Sequence, residues 1–203
     1  VATWDTWFSE VLVHAPGAPD PLVLRAVSRA AREFFQRTRA WMEWLDPVAS
    51  GDAPDYAFEL PRETEMVRIE RATADGQPFP VRSYRLIPSD WTRTDTEERS
   101  LVSRDLQTFV LTGNTPAGLQ LQAQVSLMPS RRARGIPDHL ADRYLEPIAE
   151  GAKEILLLTP GSFADAAAAG LARAKFDAAI AAHAVDAFMG HAGQVPRARV
   201  SWF

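Results

Sequence analysis

The sequence predicts an α+β fold: a four-helix bundle-like body interrupted by an antiparallel β insertion, with an extended C-terminal tail. Three observations predict it. Apolar residues recur at steps of three and four near both ends of the chain, they alternate at period two through the middle, and the chain closes on an aromatic pair behind a glycine-containing break. The boundaries that follow are N-terminal helices in residues 1–46, the β insertion in 55–129, C-terminal helices in 136–190 and the tail in 191–203.

Trp4, Trp7, Phe8, Val11 and Leu12 fall at helical spacing behind Thr3, a residue type suited to capping, so a short amphipathic helix is expected over 4–14. The His14-Ala-Pro-Gly-Ala-Pro19 segment ends it. Asp20-Pro21 then opens a second helix with a capping-type acid and an early proline. Leu24, Val27, Ala31, Phe34, Thr38, Trp41 and Leu45 form one apolar stripe, which predicts a helix from Pro21 to Trp44, stopped by Asp46-Pro47. On this reading Trp4, Trp7, Phe8, Trp41 and Trp44 are core residues between two helices rather than a stacking platform.

The middle of the chain changes period. Five segments read as strands: 56–60, 66–70, 81–87, 106–111 and 119–127. Turns are expected at Asp75-Gly76 and Thr112-Gly113-Asn114. Leu119, Leu121, Ala123, Val125 and Leu127 alternate with Gln120, Gln122, Gln124 and Ser126, the pattern of a half-buried antiparallel strand. The polar stretch 88–104 reads as a long loop with a helical turn near Thr96-Glu97-Glu98.

Helical period returns after Pro137-Asp138, with Leu140, Tyr144, Ile148, Ala152 and Ile155 on one face. Pro147 inside this run predicts a kink near Glu146. The last helix is expected from a cap at Ser162 to about Phe188. Its alanines allow another backbone close approach, and Phe176, Ile180, Ala184 and Phe188 make a second stripe. A helix that is small or apolar on most faces needs cover on several sides. A neighbouring copy supplying some of it would meet Ala167, Gly170, Ala174, Ala178 and Ala181.

Composition narrows the function classes. The 203 residues are 46% hydrophobic and 24% charged, enough to bury a sizeable core. A formal charge of -4 argues against a protein whose whole surface binds nucleic acid. There is no cysteine, so disulfides, thiolate chemistry and cysteine-ligated zinc are excluded. The first residues lack a basic leader and no apolar run is long enough to span a bilayer, so a soluble intracellular protein with no membrane partner is expected.

No catalytic, metal or cofactor-binding signature stands out. The histidines, His14, His139, His183 and His191, are scattered, and neither a nucleophile elbow nor a phosphate-binding glycine loop is present. An enzyme would have to use carboxylates such as Asp138, Asp142 and Glu146. Arg131, Arg132 and Arg134 form a charge run that is either a solvated loop or a contact with phosphates or an acidic partner. The tail offers Val195, Arg197, Arg199, Val200, Trp202 and Phe203, an alternating, aromatic-tipped segment suited to strand addition on a partner.

The layout resembles the head-to-tail adaptor (connector ring) proteins of tailed phages and gene transfer agents, and is similar to the tubular tail protein A of short-tailed phages. The residues carrying the resemblance are Asp20-Pro21, Phe58-Glu-Leu-Pro61, Asp75-Gly76, Val125 to Pro129, Ile136-Pro-Asp-His-Leu140, Tyr144, Ile148, Gly151-Ala152-Lys153, Leu156 to Leu158, Pro160, Phe176, Ile180 and Phe203. The resemblance implies a virion protein assembled in the host cytoplasm: one subunit of a ring, typically a dodecamer, at the head-tail junction. It implies three partners besides further copies of the chain. The tail residues would bind the portal protein, the ring would bridge it to the next tail component (a stopper, tail tube or nozzle), and DNA would pass through the central channel without sequence-specific binding. A tail stopper or terminator, or a nucleic-acid-binding module centred on Arg131, Arg132 and Arg134, are the alternative readings.

Overall fold

The computed structural model describes residues 1–51, 55–83, 99–103 and 105–189. In chain order, its first elements are β1 (Ala2–Thr3), a 3-10 turn (Trp4–Trp7), α1 (Phe8–Leu12), α2 (Asp20–Thr38), β2 (Met42–Trp44), β3 (Val48–Ala49), β4 (Tyr56–Ala57) and β5 (Thr64–Ala74). There follow β6 (Gln77–Phe79), β7 (Val81–Ser83), β8 (Ser100–Ser103), β9 (Thr108–Thr112), β10 (Gln120–Pro129), β11 (Gly135–Ile136), α3 (Asp138–Leu157) and α4 (Ala166–Met189). They fall into two units, one of Val1–Ala40 with Arg131–Phe203 and one of Trp41–Ser130.

The expected four-helix bundle does not form. Among the described residues the helical unit has three long helices, because the N-terminal run supports only a 3-10 turn and the five residues of α1 before Ala15-Pro16-Gly17 stops it. Trp4 and Trp7 are nonetheless buried, and their indole N–H groups donate to the carbonyls of Ala133 at 2.7 Å and Leu145 at 3.0 Å. A two-residue ladder, Ala2 opposite Ile136 and Thr3 opposite Gly135, ties the N-terminus to the start of α3.

Helix α2 is six residues shorter at its C-terminal end than expected, stopping at Thr38 instead of Trp44. Arg39 takes a left-handed conformation at φ 55° and its N–H closes on the Phe35 carbonyl, the geometry of a helix stop. At the other end neither Asp20 nor Asp138 caps through its side chain. Pro19 and Pro137 hold the cap positions of α2 and α3, and each acid lies in the first turn, where it complements the helix dipole. The distortion in α3 falls at Tyr144 (φ -116°, ψ 22°), slightly before Glu146. Pro147 lacks the N–H that would reach the carbonyl four residues back, and its ring crowds that turn, so the strain appears upstream.

The core of this unit is aromatic. Phe34 meets Phe35, Tyr144 and Phe176 at ring-centroid distances of 5.4, 5.0 and 6.4 Å. Each such side chain contributes about 1.5–3 kcal/mol by leaving water. Ala26, Ala30, Ala31, Ala149, Ala152 and Ala172 are buried around them and let the three helices pack closely.

The described residues of the second unit form two sheets. One runs β2-β10-β5-β6, with β3 also on β10, and is antiparallel. The other runs β4-β9-β8-β7, where only the β7–β8 pair is parallel. Strand β10 is the spine of the first sheet. Leu121, Ala123, Val125 and Leu127 are buried as the alternation predicts, while register shifts on either side of Val125 and Ser126 bring Ser126 inward as well. Its hydroxyl is satisfied by Glu70 at 2.9 Å. In the second sheet Phe109 stacks on Phe58 at 4.4 Å and on Tyr56 at 5.5 Å.

Residues 41–49 correct the sequence reading most. Trp41 and Leu45 are buried, but within the β unit, where β2 between them pairs with β10. Trp44 is 47% exposed and is not a core residue. Ser100–Ser103, expected as loop, is β8. The expected turn at Thr96 to Glu98 lies outside the described residues, as does the end of the strand expected over 81–87.

Candidate functional site

Helix α4 is capped by Asp165, not Ser162: its Oδ1 accepts the N–H groups of Ala167 and Ala168, both at 3.0 Å, and its carbonyl accepts from Ala169. Ser162 is exposed. The helix buries Ala169, Ala172, Phe176 and Ile180 at steps of three and four against its own unit. This inward stripe ends there. Ala184 is half-buried and Phe188, expected in the same stripe, is 76% exposed.

The outward face is apolar too. Ala167, Gly170, Ala174, Ala178 and Ala181 are all exposed and succeed each other at three- and four-residue steps. Leu171 and Val185 are exposed beside them at 61% and 60%. Single exposed apolar residues are ordinary; here they are contiguous along one helix face.

A network of charges fixes the inner edge of α4. Asp177 receives Arg37 at 2.6 Å and both Nε and a terminal nitrogen of Arg173 at 2.8 and 2.9 Å. Arg173 also reaches Glu33 at 3.0 Å and Glu154 at 3.3 Å, so one guanidinium links α2, α3 and α4. Hydrogen bonds from Arg173 and then Arg37 hold the Asp177 carboxyl below the ordinary aspartate range, and the bond with Asp177 is the leading cause that raises both arginines. Burial, above all, raises the Tyr144 phenol.

The arginine run behaves differently along its length. Arg131, Arg132 and Arg134 are exposed, while the backbone between them is used structurally: Ala133 accepts from the Trp4 indole and Arg134 from the Trp4 backbone N–H at 3.2 Å. Arg131 lines an open groove of about 850 Å³ along α2, together with Arg25, Arg29 and Arg32. Sequence reasoning missed these three, although their spacing of four and three residues places them on one helix face.

The carboxylates considered for catalysis are not brought together as a working group. Asp138 binds the N-terminal ammonium of Val1 at 2.9 Å, and Asp142 is exposed. Glu146 lines a cavity of about 410 Å³ with Glu10, Glu150, Lys153 and Lys175, in which Lys153 donates to Glu150 at 2.9 Å. His14 and His139 are exposed, and His183 sits edge-on to Tyr144 and Phe34 at 5.2 and 5.8 Å. Among the described residues no cluster of His, Asp or Glu could hold a metal ion. Among them, too, no helix is long and apolar enough to cross a membrane.

No family model matches this chain, and no curated protein matches it. The tail residues Val195, Arg197, Arg199, Val200, Trp202 and Phe203, and His191, lie outside the described residues.

Proposed function

We propose that this chain is a structural subunit that self-associates through the outer face of α4 into a ring, in the manner of a head-to-tail adaptor joining a portal to the next tail component around a DNA channel. The observation that carries the reading is that α4 is apolar on both sides while its own unit covers only one. Ala167, Gly170, Ala174, Ala178 and Ala181 leave room for a second backbone, and Leu171, Val185 and Phe188 supply apolar area at its edges. A contact between this face and a different face of the next copy closes into a ring when the rotation is right. The resemblance of the segment from Val125 to Pro160 to adaptor proteins adds the setting: a virion, a portal on one side and a tail component on the other, with the C-terminal residues as the portal anchor.

The test is sedimentation velocity and electron microscopy of the full chain at rising concentration, alone and with a portal ring. A closed ring is expected, and Leu171→Glu with Phe188→Glu should leave a folded monomer by circular dichroism that no longer forms it. A wild-type chain that stays monomeric both alone and on portal rings would refute the proposal.

A further inference from the structure

We propose that the arginine-lined groove on α2 binds the phosphodiester backbone of a nucleic acid without reading its sequence. The inference stands on the groove itself and holds whether or not the chain forms a ring.

Arg25, Arg29 and Arg32 lie on one face of α2, and Arg131 approaches the same groove from the segment between the last long strand and α3. One carboxylate, Glu33, also lines it, but Glu33 is engaged by Arg37 at 3.1 Å and by Arg173 at 3.0 Å on the side toward α4. Four guanidinium groups thus line one groove on a chain whose net charge is -4. The cavity at Glu146 makes the contrast clear. There three carboxylates, Glu10, Glu146 and Glu150, face two lysines, a set with one excess negative charge that attracts no anion.

The spacing favours a polyanion over a single phosphate. From Arg25 to Arg32 the helix rises about 10.5 Å at 1.5 Å per residue. That length matches about three nucleotides of one strand at 3.4 Å each, so successive guanidinium groups can meet successive phosphates. Guanidinium forks suit phosphate oxygens geometrically. An acidic protein segment would offer carboxylates at workable spacing too, but stable peptide docking draws on apolar anchors seated in pockets. This groove offers little of that kind: of its larger apolar side chains Leu24 is half-buried, and Trp4 is 6% exposed with its indole N–H already given to Ala133. Ser28 and Gln36 add neutral hydrogen-bonding groups along the same face, which suits backbone contact and carries no base specificity.

Fluorescence anisotropy of a labelled mixed-sequence DNA duplex with the full chain tests the proposal across a salt series. Binding should weaken with a log-log salt slope of about -2 or steeper, as for at least the two phosphates that Arg25 and Arg29 would neutralise. A second duplex of unrelated sequence should bind equally. Arg25→Glu with Arg29→Glu should shrink the slope by about 2 and cost at least tenfold in affinity at low salt. Arg62→Glu, an exposed arginine of the β unit outside the groove, should change affinity less than twofold, showing that the groove and not overall charge is responsible. Circular dichroism checks that the double variant folds, and Arg25→Gln with Arg29→Gln replaces it if it does not. Absence of duplex binding at low salt, binding that the groove variants leave intact, or equal competition by polyglutamate would each overturn the proposal, the last by showing that any polyanion serves. Sedimentation of the same double variant reports ring formation separately, so failure here and failure of the ring reading are distinguishable.

Discussion

Gly151 and Phe176 are packed so closely that a Cβ at position 151 would meet the ring carbons Cε2 and Cζ at 2.9 Å and the Ala30 methyl at 3.0 Å. The glycine lets α3 approach α4 and α2 at one point, and the ring fills the space its absent side chain leaves. Phe176 is 1% exposed and sits against Phe34, so it has no free direction in which to give way. Gly151→Ala would gain up to about 1 kcal/mol in helix propensity but lose about 1–3 kcal/mol to overpacking. The clash is expected to win in most of that range. Thermal unfolding should show a fall in Tm of a few degrees, and a rise would mean that the helices can separate to admit the methyl.

The cap of α4 separates two readings of the same loop. Asp165→Ala removes the acceptor of two backbone N–H groups and should destabilise the helical unit by about 1 kcal/mol, or roughly 2–4 °C in Tm for a chain of this size. Ser162→Ala should stay within about 0.5 kcal/mol of wild type. Parallel denaturation curves decide it, and equal losses for both variants would remove Asp165 from the capping role.

The sequence makes helical period legible and helix ends much less so. Val27, Ala31, Phe34 and Thr38 read correctly as a buried stripe, but Trp41 and Leu45 continue the same spacing by coincidence and bury themselves in the β unit. Only the left-handed Arg39 marks the boundary, without glycine or proline to announce it. Alternation in β10 was equally clear, because one face meets a core and the other does not. Strand β8 has too few residues, Ser100 to Ser103, to show a period against its polar flanks. On α4 the small residues lie on the exposed side, and the inward stripe stops at Ile180 and not at Phe188. The groove arginines of α2 carry a visible spacing, but their meaning depends on Arg131, far away in the chain and brought near only by folding.

Asp177 gives the helical unit a pH dependence of known sign. Its folded carboxyl titrates below the ordinary aspartate value because Arg173 and Arg37 hydrogen-bond it, so the network's contribution is fully present above that value and is lost as pH falls through the lowered one. The window thus opens near pH 3.9, the ordinary aspartate value, and extends downward. Asp177→Asn should narrow the difference between denaturation midpoints measured at pH 5 and at pH 3, mainly by lowering the pH 5 value. Unchanged midpoints at both pH values would show that solvent screening leaves this partly exposed network with no net effect.

Ala174 distinguishes a contact face from an internal core. It is exposed on the outer side of α4, so a leucine there meets no neighbour within its own unit and differs little from alanine in helix propensity. Ala174→Leu should therefore leave the Tm within a degree or two of wild type, as for most surface substitutions. If a second copy packs its backbone against this face, the added side chain overfills the contact by about 1–3 kcal/mol, repeated at every contact around a closed ring. The expected outcome is a normally folded protein whose assembly, followed by sedimentation velocity on rising concentration or on portal rings, is shifted to much higher concentration. A loss of several degrees in Tm with assembly untouched would place Ala174 in the protein's own core and move the proposed interface to another face.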